Sequence, residues 1–180
     1  MLALFVLPQY YISQSLLVES RPVITNVSIY PSEIILGNSY NIRITAINIG
    51  STADYQNVEL AFPNLTSINT IHKNVVSIKQ SDFTRQPILT KVGMEIASNY
   101  GKNTVSAIYP SFEFFSTPWH SNDTHHLDTE IKPDKIGRFV VFIKSVALPH
   151  TTQLSHYPQQ GPKDYQGEFV AVYEVDVKKV

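Results

Sequence analysis

The sequence predicts an all-β fold, an antiparallel β-sandwich with an elaborated middle segment and two long loops. Three observations predict it. Val and Ile together number 35 of 180 residues, against 20 for Leu plus Ala, and branched side chains suit a pleated surface better than a helix. Apolar and polar residues alternate with period two at both ends of the chain, the signature of half-buried strands. Turn residues recur about every ten positions, which gives about eight to ten short strands.

The chain opens on a short apolar run, Leu2 to Leu7, closed by Pro8. It is too short to span a bilayer, which needs about 20 apolar residues. It reads as the later part of a secretory signal, with Val18-Glu19-Ser20 or Ser13-Gln14-Ser15 as cleavage positions, or as a strand or interfacial anchor that stays attached. Residues 1–20 are therefore assigned to a signal-like or anchoring segment, and 21–180 to a single sandwich domain.

From Arg21 the strands follow in order. Val23, Thr25, Val27 and Ile29 alternate with Ile24, Asn26, Ser28 and Tyr30 until Pro31-Ser32. Ile34 to Leu36 runs into the turn signal Gly37-Asn38. Tyr40, Ile42, Ile44 and Ala46 then share one face, with Asn41, Arg43 and Thr45 on the other. Asn48-Ile49-Gly50-Ser51 should break this strand, because Asn and Gly tolerate the positive φ of a turn. Val58, Leu60 and Phe62 form the next strand, ending at Pro63-Asn64. The middle is less regular. Ile68 to Ile78 holds one or two strands, Met94 to Ser98 reads as a helical turn or a strand, and Thr104 to Phe115 holds one or two more. Phe112, Phe114 and Tyr109 are expected in the core there. Arg138 to Val146 is apolar on both faces, as a central strand requires. Phe169, Ala171, Tyr173, Val175 and Val177 give a half-exposed final strand. Two polar connections, Ser116 to Lys132 and Pro149 to Gly167, are expected to be loops that form the binding surface at one end. An ordinary sandwich needs about 100 residues, so the surplus falls in the middle.

The stretch from Val23 to Pro63 resembles the opening of immunoglobulin-like cell-surface domains of bacteria and archaea, of the CARDB (cell-adhesion-related) type. The residues that carry this are Val27-Ser28-Ile29-Tyr30-Pro31, Ile35-Leu36-Gly37-Asn38-Ser39-Tyr40-Asn41-Ile42, and Ala46-Ile47-Asn48-Ile49-Gly50 with Val58-Glu59-Leu60. Gly137-Arg138-Phe139 with Val141 is similar to a late hairpin of such domains. The family's paired terminal asparagines are absent, and Asn64 to Pro133 has no counterpart. The resemblance implies an immunoglobulin-like fold and an extracellular or cell-surface location. It carries no active site.

Composition excludes several function classes. The formal net charge is -1, which leaves no electrostatic footprint for nucleic acid or an anionic membrane. With zero cysteines there are no disulfides, zinc fingers, iron–sulfur ligands or catalytic thiols. The Gly-x-Ser-x-Gly elbow and phosphate-binding glycine loops are also missing, so no enzyme is predicted and no catalytic or cofactor residue is assigned.

Five of the six histidines fall between His120 and His156. His120, His125 and His126 lie close to Asp123 and Asp128, and His150 and His156 sit on the second long connection. Imidazole with carboxylate suits Cu or Zn, although the spacing matches no ligand signature. Adjacent His125 and His126 would also point to opposite faces of a strand. A copper- or zinc-binding accessory module is therefore the alternative to a non-catalytic exported adhesion, structural or protein-binding module. Trp119, beside Pro118, is expected as an exposed contact for a protein or glycan partner. Asn-x-Ser/Thr glycosylation acceptors begin at Asn26, Asn64 and Asn122.

Overall fold

In a computed structural model, the fold is described over residues 19–62, 75–81, 88–94, 107–149, 152–163 and 168–180. Two sheets pack face to face. The four-stranded sheet runs β1 (Pro22–Tyr30), β3 (Tyr40–Asn48), β8 (Thr124–Ile131) and β5 (Val75–Ser81). The seven-stranded sheet runs β2 (Ile34–Ile35), β11 (Ala171–Lys178), β9 (Gly137–Leu148), β4 (Tyr55–Ala61), β7 (Ala107–Ser116) and β6 (Ile88–Met94), with β10 (His156–Tyr157) also on β9. All pairings are antiparallel except that of β2 with β11, which is parallel.

The core lies between the sheets. Ile42, Ile44 and Leu127 from one sheet meet Val58, Leu60, Phe114, Val141 and Ile143 from the other, all fully enclosed. Burying each such side chain contributes about 1.5–3 kcal/mol. β9 is the central strand that its two apolar faces require. Its outer face builds a second cluster, Val140 and Phe142 with Ala61 and Val170.

That outer face also holds Lys144, which pairs with Glu59 on β4 at 3.3 Å. Both side chains are almost wholly buried, so removing either would strand a charge in low dielectric.

The strand β1 shows how a local irregularity decides which residues face the core. Its pairing with β3 shifts register between Ile24 and Asn26. Ile24 is buried, yet after the bulge it is Val27 and Ile29 that pack on the core. One extra residue switches the inward set from even to odd positions. Asn26 is consequently exposed.

Two expectations about connections need correction. Ser116 to Lys132 is not one long loop, because Ser116 ends β7 and Thr124–Ile131 is β8. The inward residues of β8 are His125, Leu127, Thr129 and Ile131, and the two polar members hide the alternation in the sequence. Gly50 has no positive φ. The turn glycines with positive φ are Gly37 (82°), Gly137 (130°) and Gly161 (136°). Gly50 is required by close approach instead: a Cβ there would lie 2.2 Å from the Glu19 carbonyl oxygen and 2.6 Å from the Arg21 nitrogen.

The second long connection, from Pro149, contains a 3₁₀ turn (Gln153–Ser155) and β10. In the middle of the chain β5 begins at Val75 and β6 ends at Met94. The expectations for residues 68–74 and 95–98, for the Tyr109 side chain and for Asn64 lie outside the described residues.

Candidate functional site

Two regions carry the polar chemistry of the molecule, one end of the sandwich and the outer face of the four-stranded sheet. The end is built around Asn48, the last residue of β3. Its Oδ1 accepts from the backbone N–H of Arg21 (2.9 Å) and of Gly50 (3.0 Å). Its Nδ2 donates to the carbonyls of Ser51 (2.6 Å) and Trp119 (3.2 Å). The Asn48 backbone adds an N–H bond to Asp123 O and accepts from Asn122 N. An Asn side chain offers two donor and two acceptor positions, and here all four are used, tying the end of β3 to Arg21, to the Gly50–Ser51 turn and to Trp119.

Trp119 is fully buried at this end, so the expectation of an exposed partner contact is corrected. An isolated β-bridge to Ala53 draws its backbone inward, and its indole Nε1 donates to Asp123 O at 2.9 Å. The His125 ring stacks on it, 3.8 Å between centroids and 11° from coplanar. A buried indole needs a partner for its N–H, and Asp123 supplies one. Glu19 closes the same end through Thr152, accepting from its N–H (2.8 Å) and its hydroxyl (2.5 Å). Thr152 in turn caps the 3₁₀ turn through Leu154 N. Glu19 and Ser20 are both buried.

The outer face of the four-stranded sheet differs. Antiparallel register aligns Ser28, Arg43, Asp128 and Lys79 across β1, β3, β8 and β5. Beside that row, Tyr30, Asn41 and Glu130 align, and on its other side Asn26, Thr45 and His126. At the centre Arg43 holds Asp128 Oδ2 through Nη2 (2.7 Å) and Nε (3.2 Å). The same Nη2 donates to the Tyr30 hydroxyl at 2.9 Å, and that hydroxyl donates to Asp128 Oδ2 at 3.2 Å. The guanidinium also lies 5.2 Å from the Tyr30 ring centroid, within cation–π range.

Partial burial and the Asp128 charge raise the Tyr30 pKa. Hydrogen bonding to Asp128, then its charge, raises that of Arg43. Both groups thus keep their protons at physiological pH, and Arg43 remains 52% exposed. The node is ordered and reachable at once.

The predicted histidines are separated by the fold. His125 and His126 point to opposite faces of β8, His125 into the core and His126 outward, 3.3 Å from Thr45 Oγ1. His120 is exposed in the β7–β8 turn, where its N–H meets Asp123 Oδ2. His156 is buried on β10, with Nε2 3.0 Å from Glu168 Oε2. His150 lies outside the described residues. Among the described residues no group of three or more His, Asp or Glu side chains gathers at metal distance.

Sequence reasoning missed Tyr30, Arg43, Asp128 and Glu130 as a set. The only available signal was outward alternation in β1, β3 and β8, and it needed the pairing register to become a surface. Among the described residues no helix is long and apolar enough to cross a membrane.

No protein-family model and no curated protein matches the chain. Several solved structures are similar to it at low identity. A cohesin module of a Clostridium perfringens family 33 glycoside hydrolase has 6% identity and a TM-score of 0.42, covering 89% of this chain and 98% of that one. The Streptococcus suis protein SadP, as a mutant, has 8% identity and a TM-score of 0.48, covering 87% and 88%. A CARDB domain from Pyrococcus furiosus, solved in complex with di-metal ions, has 9% identity and a TM-score of 0.41, covering 88% and 90%. That last domain is of the family which the opening strands resemble, and the two-sheet architecture stands on this chain's own strand pairing.

Proposed function

We propose that this chain is a non-catalytic, exported binding module of the cell surface that meets a protein or glycan partner through the outer face of its four-stranded sheet. The observation that supports this reading is the Tyr30–Arg43–Asp128 node. An arginine ordered before encounter loses little rotamer freedom on binding, which is the usual cost of using a long side chain. Its planar fork, an aromatic ring and a carboxylate lie together on a partly exposed sheet face. Such groups suit hydroxyl-rich or peptide ligands. The sequence reading placed binding on the loops at the Trp119 end. That end is bonded internally, so the sheet face replaces it.

The test is retention of the purified chain on immobilised glycans and cell-surface proteins, for wild type and for Arg43→Ala and Asp128→Ala. Wild type should be retained, and both variants should bind at least about tenfold more weakly, equal to about 1.4 kcal/mol, with unchanged circular dichroism. Retention that survives both substitutions but is lost on changing His120 and Ser121 would return the site to the loop end. Stoichiometric copper or zinc in the native protein would favour the metal-binding reading instead.

A further inference from the structure

We propose that His156 and Glu168 form a proton-dependent clamp that holds the connection between β9 and β11 against the sheet. His156 Nδ1 lies 2.7 Å from the Pro158 carbonyl oxygen. A carbonyl only accepts, so Nδ1 carries a hydrogen. The other ring nitrogen, Nε2, lies 3.0 Å from Glu168 Oε2. In a neutral ring with its hydrogen on Nδ1, Nε2 would present a lone pair to a carboxylate oxygen. Two acceptors at that distance repel. A second ring proton converts the contact into imidazolium against carboxylate, which is attractive. The imidazole is 2% exposed, so water has little access with which to relieve a mismatch.

Among the described residues, Glu168 is a charged group in direct contact with the ring. On β9 the partners of β10 are Val146 and Ser145, both uncharged. Phe169 packs edge-on to His156 with centroids 6.2 Å apart, and the Lys163 ammonium sits 4.7 Å from the centre of that phenyl ring. Tyr157, the other residue of β10, bonds the Tyr173 hydroxyl, and burial followed by this contact raises the Tyr173 pKa to about 12. Tyr173 is neutral wherever imidazole titrates.

The clamp acts on the stretch around Glu168, beyond β10, whereas Thr152 earlier in the connection is held separately by Glu19. Val170 N–H donates to Pro162 O at 2.9 Å, and Lys163 bridges to Phe169. Both ties lie beside Glu168. As pH rises and His156 loses its second proton, attraction becomes repulsion and these ties loosen, while the β9–β11 ladder stays paired. The sign is fixed: the clamp holds on the acid side and releases on the alkaline side.

The test is amide hydrogen exchange at Val170 in the full chain at about pH 6 and about pH 9, corrected for intrinsic rate, with ¹⁵N spectra of the His156 ring. An ordinary imidazole titrates near 6.5, so these values bracket the change. Wild-type protection should fall roughly tenfold, the factor for one pKa unit of coupling, as Nε2 changes from protonated to bare. In Glu168→Gln the amide can donate to a bare Nε2, so protection should be the same at both values. An unprotonated Nε2 at pH 6, pH-independent wild-type protection, or an equal fall in Glu168→Gln would each overturn the clamp. The ring spectrum of the wild type decides the matter even if the variant does not fold.

Discussion

The Trp119 end and the outer face of the four-stranded sheet are both rich in polar side chains, and they use them in opposite ways. At the end, Asn48, Trp119 and Glu19 bond inward, mostly to backbone groups, and join segments far apart in sequence, Asn48 to Arg21 and Trp119 and Glu19 to Thr152. On the sheet face, Arg43, Tyr30 and Asp128 bond one another, side chain to side chain, and Arg43 stays half exposed. The lesson concerns cost. Losing a side chain that satisfies buried backbone leaves orphaned donors and acceptors, whereas losing one on a solvated face lets water take its place. Polar density alone therefore does not mark a binding surface; the direction of the bonds does.

Substitutions at the two regions should separate them sharply. Asn48→Ala removes the partner of the Arg21 and Gly50 N–H groups and of the Ser51 carbonyl, while the Trp119 carbonyl keeps the Ala53 N–H, and it should lower the free energy of unfolding in urea by about 3–5 kcal/mol, at about 1–3 kcal/mol for each group left without a partner and not reached by water. Gly50→Ala should follow at about 1–3 kcal/mol, as forcing extra atoms into a packed site does. The clash is with backbone at Glu19 and Arg21, so the strand entry must move. A wild-type midpoint in either variant would show that the end is less tightly interlocked than its bonds imply.

A third measurement contrasts an interior phenol with one on the face. Burial raises the Tyr40 pKa well above its ordinary value. The folded state thus resists ionisation that the unfolded chain accepts. Stability from this group is intact below about pH 10 and is lost as pH climbs further, by up to about 1.4 kcal/mol per pH unit. Tyr40→Phe should flatten that alkaline decline, and an unchanged slope would assign it to other groups. The smallest effect is expected at the face: Arg43→Ala should change stability by about 1 kcal/mol or less, as exposed ion pairs do. A larger loss would mean that the node is structural, which removes the ground for reading it as a contact surface.

Much of the architecture was legible because alternation is a direct imprint of one-sided burial. Tyr40 to Ala46 and the doubly apolar β9 were readable residue by residue. The sequence hides what depends on pairing. The bulge after Ile24 shifts which β1 residues face inward, and no local pattern announces it. β8 was read as a loop because His125 and Thr129 occupy core positions usually held by apolar residues. Trp119 was misplaced for a related reason. Its neighbours Pro118, His120 and Ser121 signal a turn, and turns are normally exposed, but a bridge to Ala53 pulls this one into the interior. The sheet-face node unites residues from three strands, so only the register could reveal it.

The direction of the first and last long strands, β1 and β11, carries a mechanical consequence. β1 begins beside Asn48, at the closed end, while β11 finishes beside Gly137, at the other end of β9. The described chain therefore enters at one pole and leaves at the opposite one. A pull applied along that axis loads β1 against β3 and β11 against β9 in shear, so the rungs of each ladder share the force and must fail together. Peeling from a single end would break them one at a time.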